Sequence, residues 1–159
     1  MGKQATPWNH TIPYHTKGTS SIFIAPYITP ETSRYAIEGI FSLLKIIICN
    51  FKSYSIYLIG DLNARCGTLN NNNVQYAPNP DIAINSYGRK LVNLCDECQL
   101  TIVNGLKTRT KTFHSKFTFY RGKGRSQNDW LITNEVDSIE EFVIEQKLKE
   151  SDHTPLSVT

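Results

Sequence analysis

An α/β layered fold follows from three features of these 159 residues. Ser21–Tyr27 and Ser55–Gly60 are apolar runs of strand length, and Ile37–Phe51 repeats apolar residues at helical spacing. Ile also occurs 17 times against 6 Ala and 1 Met. β-branched residues favour strands, and strand-like stretches interleaved with helix-like ones favour packed layers over an all-helical bundle. The length suits one domain with a substantial core. With 40% apolar and 19% charged residues, collagen, coiled coil and wholesale disorder are excluded.

Residues 1–19 are polar, rich in Thr and Pro and without periodicity, and are expected to be an irregular lead-in to a domain over 20–159. The first expected strand, Ser21–Tyr27, ends before Thr29-Pro30. A helix is expected to start at Thr32 or Ser33, either of which can cap it, and Ile37, Ile40, Phe41, Leu44, Ile47, Ile48 and Phe51 form its buried stripe. Ser55–Gly60 reads as a central strand buried on both faces. Residues 66–85, with Asn70–Asn73 and Pro78-Asn79-Pro80, carry no core signal and are expected to form a long loop. A second helix is expected over Ser86–Gln99, then a strand over Leu100–Gly105. Lys107–Lys111 alternates cations with Thr108 and Thr110 and reads as a two-faced strand. Phe117–Tyr120 and Asp129–Ile132 are expected to pair through the Gly122–Arg125 turn. A last strand is expected at Phe142–Ile144.

The net charge of +3 is unevenly spread. Residues 99–128 hold seven cations (Lys107, Arg109, Lys111, Lys116, Arg121, Lys123 and Arg125) and no acid, whereas residues 129–159 hold two cations and eight acids. Such a block suits a polyanionic partner, and it equally fits two solvated faces that offset each other. Cys95-Asp96-Glu97-Cys98 has half the spacing of a zinc site but lacks a second pair; Leu91, Leu94, Cys95 and Cys98 instead fall on one helical stripe. The longest apolar stretch, Ile40–Cys49, contains Ser42 and Lys45 and is too short to span a membrane. No charged-then-apolar leader opens the chain, so an intracellular protein with free thiols is expected. Met1–Thr6 fits a myristoylation pattern and Asn9-His10-Thr11 a glycosylation acceptor, neither with supporting context.

Three polar clusters stand where strands are expected to end: Asp61 with Asn63, Asp129, and Asp152 with His153. Phosphodiester cleavage needs a metal to neutralise phosphate, a group to orient or deprotonate water, and donors for developing charge. Carboxylates are hard ligands suited to magnesium, and a His held by a carboxylate serves as acid, base or phosphate donor. Each cluster by itself also fits an ordinary surface turn.

Taken in order, the clusters resemble the endonuclease/exonuclease/phosphatase domain family, a four-layer αββα sandwich. Tyr27-Ile28-Thr29-Pro30 resembles its Y-x-x-P segment, Ile59-Gly60-Asp61-Leu62-Asn63 its strand ending G-D-[FL]-N, and Phe117-Thr118-Phe119 its aromatic-Thr-aromatic strand. Ser126–Trp130 resembles its S-x-x-D-[YW] strand, and Ser151-Asp152-His153 its S-D-H signature. Gly88–Leu91 with Leu100–Gly105 further resembles LINE-type (non-LTR) retrotransposon endonucleases.

The resemblance implies a magnesium-dependent phosphodiester hydrolase acting on DNA, with manganese a suitable substitute ion. It implies that Asp61 acts on the attacking water and, with Asp152, lies at the metal. Asn63 would steady the scissile phosphate, Tyr27 would donate to the phosphate or leaving group, and Asp129 would orient a phosphate-contacting His153. Lys107, Arg109, Lys111, Arg121, Lys123 and Arg125 would bind the nucleic acid, which would place the protein in the nucleus. The family's N-terminal Asn strand and Glu motif have no counterpart before Tyr27. The expectation is therefore an N-terminally truncated sandwich with exposed strand edges prone to self-association, and nicking that is absent or very slow. The alternatives are a non-catalytic nucleic-acid-binding remnant, or a phosphatase of the same fold acting on a lipid or small molecule.

Overall fold

The continuous apolar runs become the central strands of a mixed sheet, because only strands covered on both faces can bury them. The structure, a computed structural model, describes residues 11–16, 19–69 and 75–159. The myristoylation and glycosylation patterns and Asn70–Asn73 lie wholly or partly outside them. The sheet has the order β1 (Thr11–Thr16), β2 (Thr19–Ile24), β3 (Ser55–Asp61), β7 (Asp129–Thr133), β4 (Thr101–Ile102). β2 and β3 are parallel, and α1 (Ile40–Asn50) is their crossover; the other neighbours are antiparallel. α2 (Ser86–Cys98) leads into β4.

One face of this sheet packs on both helices. Ile22, Ile24, Ile56, Leu58, Ile102 and Ile132 meet Ile40, Leu44 and Ile48 of α1 and Leu91, Leu94 and Cys95 of α2 in one core. The other face, through Leu131, Tyr57 and Ile59, packs on Phe142 and Ile144. Those residues belong to β8 (Phe142–Ile144), paired with β9 (Leu156–Val158). β5 (Phe119–Arg121) and β6 (Gly124–Ser126) form a hairpin. It joins the chain leading to β9 through a bridge between Phe119 and His153 and through bonds from Tyr120 N–H to Asp152 O and from Thr154 N–H to Thr118 O. The result is helices on a sheet, facing a second line of strands: the mixed α/β sandwich expected from sequence.

Several elements differ from the sequence reading. The lead-in contains β1, in which Pro13 is accommodated because β1 is the edge strand of the sheet among the described residues. α1 starts at Ile40, not Thr32 or Ser33. Ser33 and Ala36 N–H close tight turns on Pro30 and Ser33 carbonyls, the Ser33 hydroxyl accepts from Tyr35 N–H, and left-handed Gly39 (φ 73°) precedes the first helical turn. Lys107–Lys111 is a tight loop, because the Thr108 hydroxyl accepts from Thr110 and Lys111 N–H and competes with strand formation. The Gly122–Arg125 turn returns into β6, not β7. β7 is buried along its whole length and inserts between β3 and β4, where an apolar strand is covered on both sides. The 66–85 segment also carries core: Cys66 is buried and bridges Ile84, and Tyr76 bridges Leu106.

Candidate active site

β3 delivers Asp61 at its end, and Gly60 allows the neighbouring segment to lie against it. A Cβ on Gly60 would meet Pro26 O at 2.2 Å. Tyr27 therefore bridges Asp61 in parallel register, and Ile28 N–H donates to Asp61 O at 2.8 Å. The Tyr27 side chain is 57% exposed beside the site. Past Asp61 the chain turns through Asn63, in the left-handed region at φ 46°, where Asn is better tolerated than most residues. Asn63 N–H donates to Asp61 Oδ1 at 2.9 Å, and its amide donates to Asp61 Oδ2 at 3.1 Å and Ile28 O at 2.8 Å. The Asn85 side chain caps α2 by accepting from Gly88 N–H at 2.7 Å, and also accepts from Arg65 N–H and donates to Asn63 O.

β7 begins with Asp129, which pairs in register with Asp61 across the two antiparallel strands. Like charges directly opposite in a sheet are destabilising, so this pair works against the fold. His153 comes from the second line of strands. Its Nδ1 lies 2.9 Å from Asp129 Oδ2 and its Nε2 3.8 Å from Asp61 Oδ2, and Phe119 packs on its ring at 4.9 Å between centroids. A carboxylate only accepts, so Nδ1 carries the proton of the Asp129 bond. Burial, followed by the Asp129 charge, pushes the Asp61 carboxyl up to about 6, against the lowering effects of Asn63 N–H and His153.

Asp61, Asp129 and His153 each offer a ligand atom, all within 4.8 Å of one another; the two carboxylates are the oxygen donors a hard divalent ion takes, and the imidazole is a softer donor. Asp152 is exposed on the adjacent segment; its carbonyl accepts from Tyr120 N–H, and its carboxylate is not among the three that converge.

Of the six expected nucleic-acid contacts, Lys107, Arg109, Arg121, Lys123 and Arg125 are exposed. Arg125 lies over the Phe117 ring at 4.6 Å. Lys111 is half-buried and donates to Ile139 O. Arg121, Lys123 and Arg125 sit on the hairpin that borders His153.

Two supporting residues had no role in the sequence reading, although both stand in its motifs. The buried Thr118 hydroxyl accepts from Asn128 and Asp129 N–H, both at 3.0 Å, and its carbonyl accepts from Thr154 N–H at 2.8 Å. One residue thereby fixes the backbone of both partners in the Asp129–His153 pair. Buried Asn104 donates to Asp129 O and accepts from Leu131 N–H. The Phe117-Thr118-Phe119 and Leu100–Gly105 segments are the available signals, but tertiary contacts between strands are not written in local spacing.

Residues 21–157 match the model of a family described as endonuclease-reverse transcriptase. No curated protein matches the chain in sequence. Among solved structures, a 3'-5' exonuclease from Neisseria meningitidis aligns over 94% of this chain and 64% of its own, at 14% identity and TM-score 0.63. A Neisseria 3' phosphatase bound to a product DNA hairpin aligns over 94% and 63%, at 14% identity and TM-score 0.61. An endonuclease/exonuclease/phosphatase family protein from Leptotrichia buccalis aligns over 94% and 52%, at 15% identity and TM-score 0.58. This chain thus spans about half to two thirds of the length of these neighbours, and the likeness establishes the fold.

Proposed function

The chain belongs to the endonuclease-reverse transcriptase family, and from that premise we propose that it is a magnesium-dependent phosphodiester hydrolase acting on DNA, of the retrotransposon endonuclease type. The observation that carries this reading is the opposed pair Asp61 and Asp129, joined by His153 from the facing strands. A fold that keeps two carboxylates face to face against their repulsion does so where a cation or a reacting proton is to be handled.

The donor set fits magnesium. Asp61 from within the cluster would hold it, with Asp152 of the adjacent exposed segment as the second carboxylate, since magnesium retains several waters and needs only one or two carboxylates. When bound, the ion supplies neutralisation of phosphate charge and acidifies water. Asp61, with a carboxyl near 6, is ionised at neutral pH and able to accept the proton of the attacking water. Asn63 exchanges its bond to Asp61 Oδ2 for a phosphate oxygen. Asp129 holds the His153 ring through Nδ1, which turns Nε2 toward the Asp61 side where the phosphate would lie. Exposed Tyr27 donates to the phosphate or the leaving group.

The exposed cations Lys107, Arg109, Arg121, Lys123 and Arg125, with Lys111 beside them, would track the DNA backbone, and a DNA target would place the work in the nucleus. The exposure of these cations also favours a second reading, nucleic-acid binding without catalysis. A single experiment separates the two: supercoiled-plasmid nicking with and without magnesium, beside Asp129→Ala and His153→Ala variants. Magnesium-dependent nicking lost in both variants supports the hydrolase. Salt-sensitive binding with no nicking supports the second reading, and no binding at low salt contradicts both.

A further inference from the structure

Behind the opposed carboxylates lies a third, Asp81, which is 3% exposed and belongs to a segment that reads as plain loop in the sequence. Its oxygens accept from Arg65 Nε at 2.9 Å and Arg65 Nη2 at 2.6 Å, from Gln127 N–H at 2.9 Å and from Ala83 N–H at 3.1 Å. Its own N–H donates to Asn79 Oδ1 at 2.9 Å. Burial alone would raise this carboxyl, but the Arg65 bonds and then the Gln127 and Ala83 N–H groups outweigh it and hold it below the ordinary value.

The partners are significant for where they sit. Arg65 is four residues after Asp61 in the loop that also carries Asn63, and Gln127 is two residues before Asp129. Asp81 therefore ties the chain leaving β3 to the chain entering β7, immediately behind the two ends that carry the like-charged pair. The ladder itself continues only one step further, with Leu62 N–H on Asn128 O. Among the described residues, Gln127 Nε2 and Asn128 Oδ1 are buried without a hydrogen-bond partner, and Gln127 Oε1 accepts only from Ser115 Oγ at 3.2 Å, so the side chains of this stretch hold it incompletely.

We propose that Asp81, through its bidentate pair with Arg65 and its bond to Gln127 N–H, is a positioning residue that holds Asp129 in register with Asp61 and within reach of His153. The role rests on the hydrolase reading of that cluster. A bidentate Arg–carboxylate pair fixes direction as well as distance, which a single contact would not. Outer-shell partners of this kind typically contribute 10–100-fold to activity while touching no substrate.

The test uses the whole chain and reads the His153–Asp129 bond directly. The wild-type proton NMR spectrum is expected to show a downfield imidazole N–H resonance, assigned to His153 by its loss in His153→Ala. In Asp81→Asn this resonance disappears or broadens while dispersed methyl signals report an intact core. Leu44→Ala, a comparably destabilising change on α1 away from the site, keeps it. Should Asp81→Asn not fold, Arg65→Met serves instead, because the Arg65 side chain is 37% exposed; the same loss is expected. In the nicking assay, Asp81→Asn is expected to lower the rate about 10–100-fold and to change DNA affinity far less. Retention of the resonance in the folded variant, or its equal loss in Leu44→Ala, overturns the positioning role and leaves the hydrolase reading standing. Its absence from the wild-type protein removes the His153–Asp129 pair, and both proposals with it.

Discussion

Asp61 and Asp81 are two largely buried carboxylates twenty residues apart, and they are treated in opposite ways. Asp81 meets a bidentate guanidinium and two backbone N–H groups, and its carboxyl lies below the ordinary range. Asp61 meets Asn63 and the nearby His153, but it also faces the like charge of Asp129, and its carboxyl rises to about 6. A charge whose needs are met by the protein stabilises a structure, whereas a charge left short of partners awaits something from outside. The difference separates scaffold from site within one stretch of chain.

The largest expected effect breaks the satisfied member. Asp81→Asn leaves Arg65 and its neighbouring N–H groups without a full partner, and breaking a buried pair from one side costs about 3–5 kcal/mol. Because Arg65 reaches solvent, the lower end, about 3 kcal/mol, is expected from urea denaturation at pH 7.

Removing the unsatisfied charge acts in the other direction. Asp61→Asn is expected to stabilise the fold at pH 7 by about 1 kcal/mol, through relief of the cross-strand repulsion, and to abolish nicking. The pH dependence follows the same sign. The folded carboxyl of Asp61, near 6, lies above its unfolded value of 3.8, so the folded state binds this proton more tightly. Its contribution to stability is complete below pH 4 and is lost as pH rises through 6. Asp81, shifted below 3.8, contributes above that value and loses its contribution as pH falls beneath it. Urea midpoints between pH 4 and 7 should fall in the wild-type protein relative to Asp61→Asn, and a parallel pair of curves would remove the contrast.

The smallest effect lies on the basic hairpin, where charges are exposed and individually weak. Arg121→Ala and Lys123→Ala should each lower the salt slope of DNA binding by about 1, with little change in stability. A slope unchanged in both would place the DNA elsewhere.

What the sequence made legible follows the same division. The central strands around Ile56–Ile59 and Trp130–Ile132 were plain, because an apolar run between turns has few other destinations. Asp61, Asn63, Asp129 and His153 were found by their order in the chain and do converge. β1 was hidden by Pro13, which an edge strand tolerates, and the false strand at Lys107–Lys111 arose because alternation is also produced by a threonine-closed loop. Asp81 was invisible because its significance lies wholly in partners 16 and 46 residues away. A charge's environment is a tertiary property, and no local pattern announces which carboxylate will be satisfied.

The most direct measurement is therefore a carboxyl carbon NMR titration of Asp61 in the wild-type protein and in Asp129→Asn. The expected wild-type midpoint is near 6 and moves down when the facing charge is removed. A wild-type midpoint near 3.8, or one indifferent to Asp129, would contradict the claim that an opposed, under-compensated carboxylate pair is the centre of the site.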